Sequence, residues 1–134
     1  MTTAITALKY GSSRSVAASF DDAVARAKKA LEQEGFGVQA EIDISKALKE
    51  KLGVDVPRQL ILGACNPRLA YQALQAEPEV GLLLPCNVTV SQKPGGVEVA
   101  VIDAGRLMEF VGNPALKPMA EEVSRRLQAV LEKI

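Results

Sequence analysis

Residues 58–90 read RQLILGACNPRLAYQALQAEPEVGLLLPCNVTV, and the fold turns on how this stretch divides. Its first part, RQLILGAC, is apolar on both parities and reads as a buried strand. Asn66 followed by Pro67 is a helix start: a side chain that caps free N–H groups, then a residue whose missing N–H costs nothing at the first helical position. That helix runs through RLAYQALQA to Glu77-Pro78. VGLLLPCNVTVSQ reads as a second strand, and with GVEVAVID it flanks KPGG as a hairpin. If the two strands around the helix are parallel neighbours, Cys65 and Cys86 stand at nearly the same height. If they are antiparallel, this division puts the cysteines on the order of 20 Å apart. Pro85, just before Cys86, marks an irregular point in the second strand.

Working outward, Ile5–Ala18 alternates loosely and reads as strand, bent or interrupted at YGSS. Ser19 and Asp22 stand at capping-box spacing before a helix with Phe20, Ala23, Val24, Ala27, Ala30 and Leu31 on one face, and Gly35 ends it. FGVQAEID is a further strand. ISKALKEKLG is a short amphipathic helix that stops at Gly53. AGRLMEFVG is another, and the C-terminal helix starts near NPALKP with Leu116, Ala120, Val123, Leu127 and Leu131 as its stripe. Glu121 with Arg125 and Glu122 with Arg126 are i,i+4 pairs on its outer side. The 134 residues make one domain, 1–134, with no repeat and no linker. The expected class is α+β: a two-layer sandwich with a mixed sheet of about five strands and helices mainly on one face. Strands apolar on both faces with helices on only one then imply a homodimer that packs sheet against sheet.

Composition excludes more chemistry than it suggests. Acidic and basic residues balance at sixteen each and the basic ones are scattered, so nothing draws in nucleic acid or an anionic membrane. No apolar run reaches membrane-spanning length, and the N-terminus MTTAITALKYGSSRS lacks the form of an export signal. Two cysteines in such a chain imply reduced thiols in a cytoplasm. Histidine is absent, which removes Ser-His and Cys-His pairs and His-ligated metals. The two cysteines are too few for zinc, so no metal and no cofactor is expected, and catalysis is the weakest reading.

The candidate site is the strand-to-helix junction at Cys65. Helix N-termini favour negative charge, on a thiolate or on a bound anion. Asn66 caps the helix, Arg68 lies at its second position, and Cys86 with Asn87 repeats the Cys-Asn pair. Cys65, Asn66, Arg68, Cys86 and Asn87 are therefore the candidate ligand-binding residues for a small polar or anionic molecule. Against this stands packing, since a free cysteine is among the most buried residue types. Tyr71, one turn on, is a core candidate. Glu41 and Asp43 border a helix start, where acids serve a structural role, and KPGG lacks the context of a phosphate loop.

FDDAVARAKKALEQEGFGVQAEIDISKALKEKLGVD, ILGACNPRLAYQALQAEPEVGLLLPCNV and FVGNP resemble the domain-of-unknown-function family 302 over roughly residues 10–134, with Cys-Asn-Pro and Pro-Cys-Asn the most specific elements. The resemblance implies a small α+β domain laid out like one half of the TATA-binding-protein fold, a dimer, and no established activity. It brings no DNA binding, because this chain has neither the positive charge nor the aromatic wedges. Two functions follow from the residues: a small binding domain with its site at Cys65, or a homodimeric interaction module whose cysteines are packing.

Overall fold

The computed structural model describes residues 4–134; residues 1–3, part of the N-terminal stretch read above, lie outside it. Six strands form one sheet: β1 (Thr6–Ala7), β2 (Gly11–Val16), β3 (Gly37–Asp43), β4 (Gln59–Cys65), β5 (Cys86–Lys93) and β6 (Gly96–Ile102). Five helices accompany them: α1 (Phe20–Gln33), α2 (Ile44–Leu52), α3 (Pro67–Ala76), α4 (Ala104–Val111) and α5 (Lys117–Lys133). Short 3-10 helices at Pro78–Leu83 and Pro114–Leu116 complete the chain. The α+β reading holds. Among the described residues, no helix is long and apolar enough to cross a membrane.

The local signals act as their chemistry dictates. The Ser19 hydroxyl accepts from the Asp22 N–H at 3.1 Å to open α1. Asp43 caps α2 through Lys46 N–H at 2.9 Å, and the Ser45 hydroxyl donates to the same carboxylate at 2.6 Å. The Ser45 hydroxyl and then the Lys46 N–H hold that carboxyl below its usual range. Asn66 caps α3 through Leu69 N–H at 3.2 Å. Gly53 takes the left-handed conformation (φ 70°) that ends α2. At the far end of the chain, Arg14 Nη1 reaches from β2 to the free carbonyls of Leu131 and Glu132 at 2.7 and 3.0 Å, tying the end of α5 to the sheet.

The sheet order is β1-β2-β6-β5-β4-β3 and every pairing is antiparallel. This corrects the expected mixed sheet of about five strands. The cause lies in residues 78–83, which form a 3-10 helix and not strand, so that β5 begins at Cys86. Ala64 pairs with Cys86, so the excursion through α3 leaves and rejoins the sheet at the same end. The cysteines therefore stand at nearly the same height, as the parallel alternative expected, but on antiparallel strands, and the separation of about 20 Å does not apply.

Alternation sorts the sheet into two unlike faces. Leu62, Ala64, Val88, Val90, Val97, Val99 and Val101 face one way and join the buried residues of α1, α3, α4 and α5 in a single core. The reverse face carries a row that crosses all six strands by register: Thr6, Ser13, Ala100, Thr89, Ile61 and Ile42. None of the six is charged. Neither Ile61 nor Ile42 belongs to the core, and Ile42 is 50% exposed. α2 packs along β4 without a buried residue, and beyond it Leu52, Val54 and Val56 are exposed.

Candidate functional site

Cys65 ends β4 and Cys86 begins β5, one step apart across the ladder. Cys86 is level with Ala64 on the helix-covered face, while alternation gives Cys65 to the other. Both are free thiols and both line a cavity of about 30 Å³ closed by Phe36, Leu69, Met108 and Met119. Burial raises the Cys65 thiol above its ordinary range. Burial, with the nearby Cys65 adding to it, pushes Cys86 from the ordinary 9.0 up to about 11. A helix N-terminus lies beside them, yet desolvation sets the direction of both shifts. Both shifts disfavour the thiolate, the form that attacks and ligates.

The other candidate residues are occupied elsewhere. The Asn66 side chain is spent on its cap, and its Nδ2 lies so close to Gly35 (φ 84°) that a Cβ there would meet it at 2.9 Å. Arg68 turns away from the junction: its Nη2 donates to Glu122 Oε2 at 2.6 Å, and Arg126 Nε donates to the same oxygen at 2.9 Å. Partial burial opposes ionisation of Glu122, but the two guanidiniums outweigh it and hold the carboxyl below its usual range. Arg126 also donates to the Glu34 carbonyl at 2.9 Å, so this cluster joins α1, α3 and α5. Asn87 is exposed on the reverse face, paired with Gly63. Thus Cys65, Asn66 and Cys86 meet at one cavity, while Arg68 and Asn87 do not join them. Tyr71 is exposed, with its hydroxyl accepting from Gln75 Nε2 at 3.1 Å.

The paired-carboxylate candidates are structural. Glu41 bonds Lys28 of α1 at 2.9 Å, and Asp43 is the α2 cap. Among the described residues, no group of three or more His, Cys, Asp or Glu side chains converges as a metal site. A larger cleft of about 360 Å³ lies elsewhere, between α4 and α5. Sequence reasoning missed it, because a cleft depends on how far two helices stand apart and no local pattern records that. The reverse-face row was recoverable from alternation alone once the strand ends were known.

The model for "Domain of unknown function DUF302" matches residues 12–134. An uncharacterized protein of Aquifex aeolicus (strain VF5) is 30% identical over 105 residues, which is 78% of this chain and 66% of that protein. The chain therefore spans about two thirds of that relative's length. The crystal structure of an uncharacterized conserved DUF302 protein from Bacillus stearothermophilus superposes with a TM-score of 0.87 at 31% identity, over 94% of this chain and 98% of that one. With the Cys-Asn-Pro and Pro-Cys-Asn elements inside the matched span, the chain belongs to the DUF302 family.

Proposed function

We propose that the chain works as a homodimeric interaction module in which two copies pack their reverse sheet faces together and the cysteines serve as packing. The observation that carries this reading is the uncharged row from Thr6 to Ile42 across all six strands, lying opposite the core. A face of this kind has a scale. Strand spacing and rise make it roughly 25 by 20 Å, or about 500 Å² in projection, before the pleat adds to it. A stable interface takes about 800 Å² per partner. The two are comparable.

The edges favour face-to-face packing over edge-to-edge. β1 is two residues long, and β3 carries a register shift between Val38 and Ala40 that interrupts its outer row of hydrogen-bonding groups. The row also has small residues, Ala100 and Thr89, on the two central strands, so two copies can approach closely there.

The test is a melting temperature measured against protein concentration. A dimer coupled to folding melts higher as concentration rises, by mass action. Thr89→Lys places a charge at the centre of the face on each copy, and the charges of two copies meet across the two-fold axis; its melting temperature should not depend on concentration. A concentration-independent wild type would contradict the proposal. A second reading keeps a ligand site at Cys65, Asn66 and Cys86, the three of the five candidates that share a cavity. The shared cavity supports it, and about 30 Å³ restricts the occupant to a single water or ion. Rapid alkylation of Cys65 in the native protein would favour that reading, and alkylation only after denaturation would favour packing.

A further inference from the structure

The cleft between α4 and α5 is an order of magnitude larger than the cysteine cavity, and its volume of about 360 Å³ falls within the range of small-molecule sites, about 300 to 1,000 Å³. It is formed by pinning at both ends. At one end the Gly105 N–H donates to Ser124 Oγ at 3.2 Å, fixing the start of α4 against α5. At the other, Asn113 is held three ways: Oδ1 accepts from Ala115 N–H at 3.0 Å, and Nδ2 donates to the Ala76 carbonyl at 3.0 Å and to Glu77 Oε1 at 2.9 Å. These bonds keep the helices in place whether or not the space between them is filled.

The floor is apolar, made by Met108 and Ala120, both buried. Around the rim stand Glu109 of α4 and Lys117 and Glu121 of α5. Among the described residues, none of these three side chains has a salt-bridge partner. Even Lys117 and Glu121, at the i,i+4 spacing that usually pairs, remain apart. An apolar floor under carboxylates from two helices and one ammonium calls for a ligand with an apolar body, a positive group and a negative group.

We propose that this cleft binds a small zwitterion with an apolar side chain, the chemistry of a free apolar amino acid. The ligand's ammonium lies towards Glu109 and Glu121, its carboxylate towards Lys117, and its side chain on Met108 and Ala120. Met108 also lines the cavity beside Cys86, so a flexible side chain is the wall between the cleft and the core. The cleft belongs to the helical layer, opposite the face assigned to dimerisation, so this proposal does not depend on the dimer.

The test is an amide NMR titration of the whole chain with L-leucine, beside isoamylamine, which lacks the carboxylate, and isocaproate, which lacks the ammonium. Leucine should move the Gly105, Gly112 and Ala120 amides saturably in the millimolar range, and each control should bind at least about tenfold more weakly, as the loss of one charged hydrogen bond dictates. Glu109→Gln and Lys117→Gln, both exposed and without structural partners, should fold normally and each weaken leucine by about tenfold or more. Leucine leaving those amides unmoved, controls that bind as well as leucine, or variants that bind like the wild type would each overturn the proposal.

Discussion

Gly63→Ala tests whether the junction of β4 and β5 is packed as tightly as the geometry says. Gly63 is buried in the middle of β4, and a Cβ built there would lie 2.8 Å from Pro85 Cγ and 3.4 Å from Ala40 Cβ. Carbon atoms rest at about 3.5–4.0 Å, so the proline contact is short by about 1 Å. A change of ring pucker can shift Pro85 Cγ by only part of that distance, and the residues on both sides of Pro85 pack against the core. The remaining relief must come from the backbone. Overpacking of this kind costs about 1–3 kcal/mol. Against it, losing a glycine restricts the unfolded chain and returns about 0.4–1 kcal/mol, because Gly63 has no left-handed φ to protect. The net expectation is a loss of about 1–2 kcal/mol, which lowers the melting point of a domain this size by about 3–6 °C. Gly81→Ala is the control: its Cβ would meet only Leu74 Cδ2, at 3.9 Å, and stability should hold or rise slightly. Both variants belong in thermal melts at one protein concentration. Gly63→Ala melting at or above the wild type would refute the reasoning about Pro85.

Two further outcomes follow from the same contacts. Asn66→Ala should cost about 1 kcal/mol in urea denaturation, the usual loss of an N-cap, and a change within error would mean that the cap at Leu69 contributes nothing. The pH dependence concerns Cys86. Its folded value of about 11 lies above the ordinary 9.0, so the folded state favours the protonated thiol. That contribution is complete below pH 9 and is lost as pH rises through 11, with a size on the order of 2–3 kcal/mol. Wild type should therefore lose stability more steeply than Cys86→Ala between pH 9 and 11, and parallel curves would show that the thiol ionises as freely in the fold as outside it.

How much of this was legible depended on whether the signal was local. Ser19, Asn66-Pro67 and Gly53 name helix ends through hydrogen-bonding chemistry carried by the residues themselves, and each acts as read. KPGG likewise marks the hairpin between β5 and β6. The run VGLLL was not decidable this way, because a short apolar stretch packs equally well as strand or as 3-10 helix. Placing it in a strand pushed Cys86 to the wrong end of β5 and opened the parallel alternative. For the site, the sequence located the cysteine junction but not its polarity. Whether Arg68 faces an anion or Glu122 is decided by α5, which lies more than fifty residues along the chain. The i,i+4 pair Glu122–Arg126 forms as read, but its larger role is to hold three helices together.

The most direct measurement of the central claim is sedimentation equilibrium of the purified chain at micromolar concentration. The uncharged row predicts a single species of twice the 14.2 kDa chain mass for the wild type, and the chain mass itself for Thr89→Lys. A wild type that sediments at 14.2 kDa across that range would leave the reverse face without a partner of its own kind and contradict the account.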